Sequence, residues 1–341
     1  MTGFRSAREL SAAFYADVIR PAVDVSHAAG LLGWGSDVLG YDTERSMDHG
    51  WGPRLQVFVD EPEPVRAAVE RALPDEYDGY PVRFGWDTQE PIHHITVTTL
   101  GDWLVDLLGF DASLGVGTAD WLITPQQKVL GVVAGQVFAD DGRLAPVRDR
   151  LQWYPEEIWR WSMGCQWARI GEEEPFVQRT HEVGDELGSR VLAARLTRDL
   201  MRLALLQSRT YAPYSKWMGT AFTQLGHPDG LDRVLADVLA ADNYPAREQA
   251  LTTAYRLLGE RHNKLSITPT VDPTPRPFHE RPALVLGAER FAEACLATVT
   301  DAGLRALPLI GTVDQFSDNT ALLSNPLAYR RLTGAVAQSA G

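Results

Sequence analysis

Gly33-Trp34-Gly35-Ser36-Asp37-Val38-Leu39-Gly40, followed by Ser46-Met47-Asp48-His49-Gly50-Trp51-Gly52-Pro53-Arg54, is the stretch on which the fold turns. It opens on a short apolar run, Gly30 to Gly33, that reads as a strand entering a glycine turn. A Gly-Ser turn lets backbone N–H groups and a hydroxyl come close to phosphate oxygens. A polar loop, 37–52, follows it, and Gly40 gives that loop room to fold back. Arg54-Leu55-Gln56-Val57-Phe58-Val59 then reads as the next strand. Asp48 lies just ahead of it, where a carboxylate could hold a magnesium ion against a triphosphate. The order is strand, turn, loop, strand.

Working outward, Ser6-Ala7-Arg8-Glu9 is a capping box that starts a helix with Leu10, Phe14 and Val18 on one face, ended or kinked by Pro21. Glu63 to Leu73 reads as a helix. Val82-Arg83-Phe84 and Ile95-Thr96-Val97-Thr98 read as strands. Thr124-Pro125-Gln126-Gln127 opens a further helix, and Asp140-Asp141-Gly142 is a tight turn between short extended pieces. From Pro155 onward the apolar spacing is helical. The clearest run is Asp185 to Arg209, with Leu187, Val191, Leu196, Leu200, Leu203 and Leu206 along one side. Other helices are read at 214–225, 231–241, 246–263 and 288–299, and the Pro-rich 268–282 reads as a loop. These patterns predict an α/β domain over residues 1–148, then a helical domain over 149–341; the resemblance given below sharpens this to an α+β fold, a mixed sheet with helices followed by an all-helical domain.

At 341 residues two domains are expected. A net charge of −13 argues against coating a nucleic-acid polymer, while a small basic pocket could still take a nucleotide. Cys165 and Cys295 stand in apolar helical stretches without paired spacing, as expected of buried thiols in a reducing compartment. The first ten residues carry no apolar signal core, and no apolar run is long enough to span a bilayer. The chain therefore reads as a cytoplasmic protein with no membrane partner, and its oligomeric state is open.

The run GWGSDVLGYDTERSMDHGWGPRLQVF, with the later YAPYSKW, RPALVL and GTVDQF segments, resembles a bacterial domain-of-unknown-function family assigned to the nucleotidyltransferase (polymerase-beta-like) superfamily. The resemblance covers most of the chain. It implies a nucleotidyltransferase-like sheet domain with a helical C-terminal domain. It also implies transfer of a nucleoside monophosphate from a nucleoside triphosphate to a small-molecule hydroxyl, with Mg2+ as cofactor. On that resemblance Gly35 and Ser36 hold phosphate, Asp48 is the first metal ligand and a catalytic residue, and Lys216 in Tyr211–Trp217 contacts the triphosphate with Tyr214 beside it.

This sequence departs from the superfamily pattern where the second acid belongs: position 50 is Gly50. The third acid belongs on the strand near Ile95 to Thr98, which carries threonines. Asp37, Asp42, Asp60 and Asp87 are candidate substitutes. His49, as a general base toward an acceptor hydroxyl, or together with His93 and His94 in a histidine-centred metal site, offers different chemistry. A nucleotide- or ligand-binding protein without transfer activity is the further alternative.

Several other features have a structural and a functional reading. Arg54, Arg148, Arg179 and Arg281 suit either phosphate contacts or carboxylate pairs. Trp153, Trp159, Trp161 and Trp167 are read as interface core, and Trp34 and Trp51 as ligand contacts beside the turn. Lys216 fits an interdomain salt bridge as well as a triphosphate contact, and Tyr214 a helix staple. Gly311 to Asp318 reads either as a capped turn or as a segment that closes a cleft.

Overall fold

The structure is a computed structural model that describes residues 4–48, 50–85 and 90–331, the side chain of Asp48 excepted. It is α+β and divides into two compact units. The first comprises Met1–Asp120, Gln127–Gln152 and Ser324–Gly341, and the second Trp121–Gln126 and Trp153–Leu323.

In the first unit the Ser6 capping box opens α1 (Ala7–Phe14), which runs through a π turn (Tyr15–Ile19) into α2 (Arg20–Ala22) and stops one residue after Pro21. β1 (Ala28–Leu31) lies two residues earlier than the sequence suggests, and its four residues are all buried. α3 (Ser36–Leu39), a single turn of helix, begins on the Gly-Ser pair. A 3-10 turn (Glu44–Asp48) leads to β2 (Arg54–Phe58) and α4 (Pro62–Ala72). Then come a small hairpin, β3 (Glu76–Tyr77) with β4 (Tyr80–Pro81), and the strands β5 (Arg83–Phe84) and β6 (Ile92–Thr98). α5 (Leu100–Leu108), α6 (Thr118–Ile123) and α7 (Gln126–Val133) precede β7 (Gln136–Ala139) and α8 (Ala145–Leu151). The Asp140–Gly142 turn therefore leads into a helix and not into a second extended piece. Asp140 itself accepts the N–H groups of Leu144 (3.0 Å) and Ala145 (2.8 Å) and so favours a helical start there.

The mixed sheet has the order β5-β6-β2-β1-β7. Only β2 and β6 run parallel, with Arg54 opposite His94 and Gln56 opposite Thr96. β1 is antiparallel to both β2 and β7. Gly30 suits this centre because a Cβ there would lie 2.7 Å from the Gln136 carbonyl oxygen. Phe14, Ile19, Ala29, Leu55, Val57, Ile95 and Val97 form the core between the sheet and the N-terminal helices. At about 25 cal/mol per Å2 of apolar surface, burying side chains of this size stabilises by about 1.5–3 kcal/mol each.

The second unit contains α9 (Glu156–Glu173), α10 (Phe176–Glu182), α11 (Glu186–Gln207), α12 (Ser215–Gln224), α13 (Leu231–Ala240) and α14 (Tyr244–Lys264). A short hairpin follows, β8 (Arg276–Pro277) with β9 (Leu284–Val285), then α15 (Glu289–Ala297), α16 (Ala302–Ala306) and α17 (Val313–Phe316). α18 (Thr320–Ser324) comes next in the chain. The expected all-helical domain thus includes one hairpin, in the Pro-rich segment.

Trp159, Trp161 and Trp167 are core residues of this unit, each 1% exposed or less. Trp167 stacks on Phe291 at 4.6 Å and donates its indole N–H to His262 Nδ1 at 3.2 Å. Burial pushes the His262 pKa down to about 4. On α11, Leu196, Leu200, Leu203 and Leu206 are buried as expected, but Leu187 and Val191 are exposed. Small Ser189 and Ala193 carry the buried face there instead, and Ser189 donates to the Val177 carbonyl of α10 at 2.8 Å.

Candidate functional site

β1 ends at Leu31, and the backbone then leaves the sheet under close control. The Leu32 N–H donates to the buried Gln56 Oε1 at 2.8 Å, and the Gly33 N–H to the Gly131 carbonyl at 2.8 Å. A Cβ on Gly131 would lie 2.4 Å from the Gly33 carbonyl oxygen, so α7 meets the turn backbone to backbone. Gly35 has φ +146°, and a Cβ there would meet Asp37 Oδ1 at 2.1 Å and Arg54 Nη2 at 2.7 Å. Glycine is required at that position by both torsion and space.

Beneath the turn, Arg54 makes a forked contact to both carboxylate oxygens of the buried Asp37, through Nε and through Nη2 at 2.7 Å. Its Nη2 also donates to the Trp34 carbonyl at 2.8 Å. Arg8 donates to the carbonyls of Asp37 (3.2 Å), Val38 (2.5 Å) and Ala134 (2.9 Å). The turn is therefore held in one conformation by two arginines and one carboxylate. Its upper side is open: Trp34 is 61% exposed. The Ser36 hydroxyl has no hydrogen-bond partner among the described residues.

Sequence reasoning passed over Lys128. It lies on α7 one turn before Gly131, hence on the helix side that carries the contact with the turn. It is half-buried, burial pushes its pKa down, and no described residue pairs with it. A desolvated ammonium without a carboxylate partner is suited to an anion. The signal in the sequence was thin: three lysines in the whole chain, one of them inside a capped helix start.

Of the predicted site residues, Gly35 and Ser36 form this turn. His49 and Asp87 lie outside the described residues. Asp48 ends the 3-10 turn, and its side chain lies outside the description. The other three substitute acids have partners in the structure. Asp37 holds Arg54. Asp42 accepts the Ala7 N–H (2.7 Å) and the Trp51 indole N–H (3.2 Å), and Asp60 accepts from Arg143 at 3.0 Å. Asp60 is the most accessible of the three, with its side chain 90% exposed. β6 offers His93, His94 and threonines but no carboxylate.

His93 meets Glu70 at 2.8 Å. His94 shares a hydrogen bond of 3.0 Å with the Phe84 carbonyl, and burial, aided by the Arg54 charge, pushes its pKa down. Its Nε2 therefore carries the proton and donates. Among the described residues no group of three or more His, Cys, Asp or Glu could hold a metal ion. A two-ion magnesium centre needs at least two free carboxylates facing the phosphates. The described donor set does not fit one.

Trp51, expected to contact ligand, is buried under Tyr80 at 5.1 Å. Arg148 donates to the carbonyls of Val132 (2.7 Å), Val133 (2.8 Å) and Gly135 (3.2 Å), ending α7, and Arg281 pairs with Glu182 at 3.3 Å. Tyr214 and Lys216 belong to the second unit. Tyr214 precedes α12 and stands edge-on to Trp217 at 4.7 Å, and the exposed Lys216 has its Nζ over the same ring at 5.5 Å.

A family model, the domain of unknown function DUF4037, matches residues 121–218. That span includes Tyr214 and Lys216. No curated protein matches the chain. Among solved structures the chain is similar to a nucleotidyltransferase-like protein from Exiguobacterium sibiricum 255-15, at 14% identity and a TM-score of 0.34, over 87% of this chain and 91% of that one. No helix among the described residues is long and apolar enough to cross a membrane.

Proposed function

We propose that the first unit binds a nucleoside triphosphate on the Gly33–Ser36 turn. The observation that carries this reading is a rigid turn whose ligand-facing groups are left unused. Gly35 clears the approach, the Ser36 hydroxyl is unengaged among the described residues, and Arg54, Asp37 and Arg8 fix the backbone from below. A turn ordered before the ligand arrives loses little entropy on binding. Lys128 supplies a positive charge from α7 for the phosphate chain. Trp34 supplies an exposed aromatic face beside the turn for the nucleobase.

The second reading is transfer of the nucleoside monophosphate to a hydroxyl of a small molecule. The spacing of Asp48 after the Gly-Ser pair favours it, and Gly50 in place of a second acid favours binding alone. Under the transfer reading His49 is the base toward the acceptor. Calorimetric titration of the full chain with ATP, GTP, CTP and UTP tests the binding reading. Saturable binding of one nucleotide, weakened by Ser36→Ala and by Lys128→Met, supports it. Absence of binding to all four overturns both readings. Lys216→Ala, titrated alongside, asks whether that ammonium adds to affinity. Gly50→Asp then separates the two readings: transfer activity that appears or rises in this variant marks the native site as a nucleotidyltransferase centre with one acid missing.

A further inference from the structure

A second pocket, of about 390 Å3, lies wholly within the second unit and has different chemistry. Arg195, Arg198 and Arg202 follow one another at helical spacing on α11, so they share a face, and Arg169 approaches from α9. Arg169, Arg195 and Arg198 line the pocket with Phe316 and Ser317, and the lining also includes Gln315 and two acids, Asp314 and Asp318. Each lining arginine has one carboxylate contact. Arg169 meets Asp199 at 2.9 Å, Arg195 meets Glu173 at 2.7 Å, and Arg198 meets Asp318. A guanidinium has five N–H donors, so one carboxylate leaves most of them to other acceptors.

Two donors have none. Arg198 Nε and Arg202 Nε are buried without a hydrogen-bond partner, and Arg202 is only 8% exposed. Among the described residues, Arg202 donates to the Asp314 backbone carbonyl at 2.6 Å. Leaving a buried charged donor without an acceptor is unfavourable, and of these two arginines Arg198 lines the pocket while Arg202 stands behind it on the same helix.

The counter-charges are placed unequally. Asp199 is buried behind the wall, with a side chain 2% exposed. The Asp314 carboxylate is turned to the Gln126 N–H at 2.9 Å. Burial raises the pKa of Glu173, and one of its oxygens, Oε2, is also without a partner. Asp318 alone is loosely held: it sits past the end of α17 with its side chain 58% exposed. It occupies Arg198 much as a ligand carboxylate or phosphate would, from a position exposed to solvent.

We propose that this pocket binds the phosphate group of a small organic phosphate, which displaces Asp318 from Arg198 and lays its organic part on Phe316. Three lining guanidiniums match the three terminal oxygens of a phosphate monoester better than the two of a carboxylate. Phe316 is 47% exposed on the pocket wall, and the Ser317 hydroxyl offers one more donor. This site is separate in its residues from the Gly33–Ser36 turn and does not depend on the nucleotide reading.

The test is calorimetric titration of the full chain with inorganic phosphate, phenyl phosphate and acetate. Phenyl phosphate should bind one per chain and more tightly than inorganic phosphate, and acetate should bind weakest. Arg198→Gln should weaken phenyl phosphate at least about tenfold, equivalent to about 1.4 kcal/mol. Asp318→Asn should tighten it severalfold, because the competing carboxylate is gone. Phe316→Ala should bring phenyl phosphate down to the level of inorganic phosphate. The opposite signs of the Arg198 and Asp318 variants are not expected of an ion pair that merely supports the fold. Should Arg198→Gln fail to fold, the exposed Asp318→Asn still decides the matter. No saturable binding of either phosphate up to about 10 mM, a Kd equivalent to only about 3 kcal/mol, would overturn the proposal. So would equal or weaker binding to Asp318→Asn, or binding lost in Ser36→Ala and kept in Arg198→Gln.

Discussion

Replacing Arg54 with methionine tests how the turn is held. The substitution keeps a long aliphatic stem and removes the fork to Asp37 and the bond to the Trp34 carbonyl. Asp37, 7% exposed, would keep only its 2.9 Å bond from the Val38 N–H among the described contacts. Removing one member of a buried ion pair costs about 3–5 kcal/mol, because the other charge is stranded. For a folding unit of this size that is a fall in melting temperature on the order of 10 °C. Converting Asp37 to asparagine in the same chain removes the stranded charge, so the double variant should recover at least about 1.5 kcal/mol of the loss. Scanning calorimetry of wild type, Arg54→Met, Asp37→Asn and the double variant measures the cycle. Hydrogen exchange over residues 30–41 should quicken in Arg54→Met. A single variant within about 0.5 kcal/mol of wild type, or strictly additive effects, would refute the idea that this pair holds the turn.

Gly131→Ala should destabilise by about 1–3 kcal/mol, since its Cβ would sit 2.4 Å from the Gly33 oxygen, and chemical denaturation measures this. Trp34→Ala should leave stability within about 0.5 kcal/mol of wild type yet weaken nucleotide binding about tenfold, since its ring is mostly in solvent. Equal affinity in that variant would remove the stacking role. Glu174 accepts the N–H groups of Leu286 and Ala288 while buried, and burial pushes its pKa up to about 7 from 4.5. Its folded pKa lies above its unfolded one, so its contribution to stability is complete below about pH 4.5 and is lost as pH rises through about 7. Melting temperatures of Glu174→Gln relative to wild type should therefore climb between those values, and a flat difference would show that the carboxyl is not held neutral.

Much of this architecture could be read from the chain because local signals and burial agree. The Ser6 capping box, the alternation through β6 and the apolar side of α11 from Leu196 onward each describe an element the structure contains. Leu187 and Val191 misled because an apolar residue counts toward periodicity wherever it stands, whereas α10 packs on the small residues beside them. At the candidate site the glycine turn was legible, since φ and space both demand glycine. Its supports were not. Arg8 lies about 30 residues from Asp37 and Val38 in sequence and 126 from Ala134, and no short pattern encodes a contact made across such distances. Asp37 looked like a spare metal ligand because sequence shows that an acid is present and not what it is paired with. Gln56 escaped attention for the same reason, though its side chain sets where β1 gives way to the turn.

Arg8 ties the first turn of α1 to the carbonyls on which α3 rests and to the end of α7. The opening helix is thus a fastener for a loop it does not adjoin in sequence. Trimming the chain only as far as Arg8 keeps Phe14 and Ile19 in the core and should still loosen the 33–40 loop. Faster hydrogen exchange in that loop would register before any loss of the sheet.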